Sequence, residues 1–134
     1  AMLKNAEVPP GGDERKEGRG GLDDYNTIGY VSAATERCLT RTLEYSNCDF
    51  AIATVANRLG KNDIADRYYR KASNWQNTWN DDIECLGHKG FAWPRERDGS
   101  FLAETSTPYS QEAAGRAQHT RLFRSSFPCM CRTT

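Results

Sequence analysis

Hydrophobic and polar positions fall into a helical rhythm only in the middle of the chain. From about Thr35 to Leu59, at ~100° per residue, Leu39, Leu43, Ser46, Phe50 and Ala53 share one stripe. Cys48, Ile52, Val55 and Leu59 share a second stripe on nearly the opposite side. Thr35 is placed to cap this segment, and Gly60 stands where a left-handed residue ends a helix. A helix that is apolar on two faces needs cover from two sides, which one partner helix does not supply. A second period runs from Asn62 or Asp63 to about Trp79. It sets Ile64, Tyr68, Ala72, Trp75 and Trp79 on one stripe and Asp66, Arg70, Ser73 and Asn77 opposite. The short break Gly60-Lys61-Asn62 predicts an antiparallel hairpin, first helix inside and second outside, as in an α/α toroid or solenoid. One such hairpin leaves the far face of its inner helix wet and is marginally stable alone.

The flanks lack this rhythm. Residues 1–24 hold Pro9, Pro10, Gly11, Gly12, Gly18, Gly20 and Gly21 among ten charges, which predicts a loop with too little apolar surface to offset its ordering entropy. Beyond Trp79 the chain reads as loop again, with Asn80-Asp81-Asp82, Gly87, Gly90, Pro94 and Asp98-Gly99 as turn formers. Phe91, Trp93 and Phe101 alternate there, which fits either a small β-ribbon or packing onto the helices. From Ala113 to Thr134 there are four arginines, no lysine and no acid, and no period, so that end is expected to be irregular or disordered. The expected fold class is mainly α, with irregular loops and disordered ends.

Length and charge narrow the function. At 134 residues the chain suits one domain. Its 18 basic and 18 acidic side chains cancel, which removes any general pull toward nucleic acid or anionic lipid. Four arginines with only Phe123 and Phe127 interleaved do not restore a nucleic-acid surface. No run approaches the roughly 18 apolar residues of a membrane span, and no secretory leader is visible, so no membrane partner is expected and the compartment stays open. The five cysteines are odd in number and irregular in spacing, unlike a disulfide framework.

Candidate chemistry is sparse. Glu44 and Asp49 are the acids within the first helix, but roughly 140° separates them, so they are not a matched acid and base. Glu44 shares a polar sliver with Thr40, Asn47 and Arg58, where a carboxylate satisfied within a helix interface is the simpler reading. Asp23 and Asp24 read as solvated loop acids. Gly18, Gly20 and Gly21 do not make a phosphate loop. His88 and His119 stand apart, and Cys129-Met130-Cys131 lacks a second ligand pair, so no metal site and no catalytic residue is assigned. Trp75 and Trp79 read as core, and Trp93 as the exposed aromatic that could stack on a sugar.

Several of these segments, in order, resemble glycoside hydrolase family 92. The resemblance rests on Gly18-Arg19-Gly20-Gly21-Leu22, Tyr25, Gly29-Tyr30-Val31, Thr42-Leu43-Glu44-Tyr45 with Asp49-Phe50, and Ala56 to Gly60-Lys61. It continues through Arg70 to Asn77 and through Gly90 to Phe101. It implies an (α/α)6 toroid and, for the intact family, a calcium-dependent inverting exo-α-mannosidase acting on mannose-containing glycans. Ser32 stands where the family has proline, and Cys48, Asp49 and Phe50 stand where it commonly has two acids and a tryptophan. The family's general acid and general base motifs are not found in the chain. The resemblance therefore implies a catalytic-domain fragment over residues 1–103, with a divergent tail over 104–134, as a truncated or frame-shifted product would have. Such a fragment is expected to be inactive alone and to bind no calcium by itself. Its exposed apolar helix face would favour self-association. The expected sugar contacts are Tyr30, Glu44 and Trp93. The alternative is a helical-hairpin interaction module, since Leu59-Gly60-Lys61 with Ala65, Tyr69 and Ala72 is similar to one tetratricopeptide unit. Such units need about three stacked copies.

Overall fold

A computed structural model describes residues 2–85 and 87–103. The expectations for the tail, including His119, Cys129-Met130-Cys131 and the arginines, lie outside the described residues. Among the described residues, four α-helices, one 3-10 helix and a two-stranded sheet follow one another: α1 (Met2–Glu7), α2 (Leu22–Thr27), α3 (Cys38–Arg58), α4 (Asn62–Ala72), a 3-10 helix (Ser73–Thr78), β1 (Trp79–Cys85) and β2 (His88–Ala92).

The predicted hairpin is present as α3 and α4. Its turn is set by Gly60, whose φ of 69° is left-handed. There the Gly60 N–H donates to the Asn57 carbonyl at 3.0 Å and the Lys61 N–H to the Ala56 carbonyl at 2.9 Å. This pair of bonds satisfies the last carbonyls of the helix and reverses the chain. Helix α3 starts later than Thr35 suggests, because Arg37 takes a left-handed φ of 59° and Thr35 turns back on Ser32.

The buried stripe of α3 differs from both apolar stripes read in the sequence. It holds Cys38, Arg41, Thr42, Tyr45, Ser46, Asp49, Ile52, Ala53 and Ala56. The two oily stripes flank it, and on them Phe50 is 54% exposed, Val55 43% and Leu59 69%. The centre of the buried face is polar because it packs against a polar partner, the glycine-rich segment before α2.

That segment corrects the expectation of an unanchored loop over residues 1–24. Helix α1 buries Ala6 against Ile52, Ala53 and Tyr68, and Arg19 is itself buried. A second cluster, Leu22, Tyr25, Val31, Ala33, Cys38 and Tyr45, gathers at the other end of α3. Apolar counting misses this anchoring because much of it is done by guanidinium groups and backbone carbonyls.

The second helical period ends early. At Ser73 the α-helix tightens to 3-10, and Thr78 Oγ1 closes the turn on the Trp75 carbonyl at 2.7 Å. The chain then runs on as β1, which pairs antiparallel with β2 in the register Trp79 with Ala92 and Cys85 with His88, so the segment after Trp79 is a ribbon and not a loop. With the period broken, Trp75 and Trp79 leave the Tyr68 stripe and are 40% and 42% exposed, which overturns their assignment to the core.

Candidate functional site

The densest chemistry lies under the middle of α3. Asp49 is fully buried, and its Oδ1 faces Arg19 Nη2 at 2.7 Å. The approach is off the N–H axis, so this contact is an ion pair and not a well-directed hydrogen bond. The Tyr25 hydroxyl donates to Asp49 Oδ2 at 2.9 Å and lies 3.4 Å from Ser46 Oγ. Burial pushes the Tyr25 phenol far above its usual range, with the Ser46 hydrogen bond pulling the other way and Asp49 adding to the rise. Earlier along α3, Arg41 donates to the Tyr45 hydroxyl at 3.2 Å and to the Glu14 carbonyl at 2.7 Å, and the Tyr45 hydroxyl donates to the Gly20 carbonyl at 3.0 Å. Arg19 covers the Tyr45 ring with its guanidinium 4.9 Å from the centroid. The network stitches residues 14–25 to α3.

A second constellation surrounds the turn between Trp93 and Leu102. Arg95 lies between two rings, 5.5 Å from the Tyr30 centroid and 4.8 Å from that of Phe101, and donates to the Asn77 carbonyl at 2.9 Å. Asp24, read as a solvated loop acid, is buried instead, because α2 turns it inward. It accepts from the Ser32 hydroxyl and from Arg97. Its neighbour Asp23 stays exposed and meets Arg97 at 3.6 Å.

The three expected sugar contacts are placed differently from one another. Tyr30 is buried, its hydroxyl donating to the Glu96 carbonyl at 2.7 Å, and burial raises its pKa. Trp93 is half-buried, with its indole N–H donating to the Leu102 carbonyl at 2.8 Å, so it is less open than its position among turn formers implies. Both fasten to the same turn. Glu44 is exposed on α3, outside any interface, which corrects the reading of a carboxylate satisfied there; Asp49 is the acid that fits that description. Among the described residues, no hydrogen bond, ion pair or ring contact joins the three.

Beside α3 runs an apolar groove of about 290 Å³, lined by Leu43, Ser46, Asn47, Phe50, Ala72 and Trp75. Aromatic rings continue it at both ends, Phe50 meeting Tyr69 edge-on at 5.8 Å and Trp75 meeting Trp79 edge-on at 6.2 Å. Among the described residues, no three His, Cys, Asp or Glu side chains converge as a metal site, and no helix is long and apolar enough to cross a membrane.

Comparison with known proteins supplies the family. The sequence profile of the glycosyl hydrolase family 92 catalytic domain matches residues 1–125. The chain belongs to that family. An uncharacterized secreted glycosidase of Arthroderma benhamiae is 34% identical over 116 residues, covering 75% of this chain and 15% of that protein. The structure of a family 92 inverting mannosidase from Bacteroides thetaiotaomicron superposes with a TM-score of 0.68 at 33% identity, covering 76% of this chain and 13% of that one. The chain thus spans only 13–15% of the length of these family 92 relatives.

Proposed function

We propose that the chain is part of the catalytic domain of an α-mannosidase that removes mannose from glycans with inversion, and that it does not perform this hydrolysis alone. The observation that carries the reading is the family 92 match over residues 1–125, joined to a structural neighbour that is an inverting mannosidase. In this reading α3 and α4 are an inner and outer pair of a helical toroid. The two half-exposed oily stripes of α3 support that role, since an inner helix has neighbours on both sides.

Inversion needs one carboxyl group to protonate the leaving oxygen and a second to activate water, roughly 6.5–9.5 Å apart. The buried carboxylates described here are committed elsewhere. Asp49 faces Arg19 and Tyr25, and Asp24 faces Arg97 and Ser32, so each is engaged by partners from within the fold. Tyr30 and Trp93 donate their polar hydrogens to backbone carbonyls, which leaves Glu44 as the one of the three whose polar atoms are open to a sugar hydroxyl.

The purified chain, incubated with calcium and α-1,2-mannobiose, is expected to release no mannose; measurable turnover would overturn the claim of inactivity. Mixed with a Bacteroides relative lacking the equivalent segment, it is expected to restore turnover. A mixture that associates yet leaves the disaccharide intact would count against a mannosidase role.

A further inference from the structure

No further inference is drawn: the strongest candidate, the pair of buried guanidinium groups that Arg19 and Arg41 bring against Tyr45 under the middle of α3, belongs to the network already described, and its two nitrogens without a hydrogen-bond partner among the described residues, Arg19 Nη1 and Arg41 Nε, are closed off from any open space in which a ligand could sit.

Discussion

Asp49 holds the buried face of α3 together because two partners from two other segments meet it, Arg19 and Tyr25, and the Tyr25 hydroxyl also lies against Ser46. Removing its charge leaves Arg19 buried without a counter-ion. Asp49→Asn is therefore expected to lower unfolding stability by about 3–5 kcal/mol, measured by urea denaturation. Replacing both members, Arg19→Met with Asp49→Leu, should cost clearly less, because the orphaned charge is gone. Tyr25→Phe, which removes one hydroxyl from the same cluster, should cost about 1–3 kcal/mol. None of this cluster was legible as a unit in the sequence. Asp49 was visible as an acid inside a helix, but Arg19 sits thirty positions earlier in a stretch whose glycines and charges read as loop. Periodicity reports which side of a helix is oily and is silent about a polar side that finds polar company.

At the scale of elements, the helix boundaries that follow from backbone chemistry were well marked in advance. Gly60 is the clear instance, since its left-handed φ is the residue-level signal for the end of α3. An added Cβ there meets nothing within 4 Å, so Gly60→Ala tests the backbone alone and is expected to cost about 1–2 kcal/mol, checked by thermal or urea unfolding. The end of α4 was misplaced for an equally physical reason. Trp75 and Trp79 keep a helical spacing from Tyr68, yet the chain between them has tightened to 3-10 and opened into β1, so spacing no longer means a shared face. The β-ribbon was one of two readings, because three alternating aromatics are too short a record to choose between pairing and packing. Of the residues picked for sugar contact, the sequence carried no sign that Tyr30 and Trp93 fasten to one turn. It did not foresee that both would be tied to backbone carbonyls.

For the whole molecule, several tyrosines share one fate. Burial raises the pKa of Tyr25, Tyr45 and Tyr68, and for Tyr68 the rise reaches about 12, helped by its hydrogen bond to Glu7. The folded state thus favours the neutral phenol. The stability this contributes is complete below the unfolded value near 10, and is lost as pH rises through about 12 for Tyr68 and higher for Tyr25. Alkaline titration followed by tyrosinate absorbance should show a delayed fraction that appears together with loss of helix. Temperature acts differently on the two kinds of attachment. Apolar burial weakens on cooling, whereas the guanidinium that clasps Asp49 does not depend on it. In the cold, the oily clusters at either end of α3 should slacken before its charged waist does, so the glycine-rich strap would be among the last parts to let go.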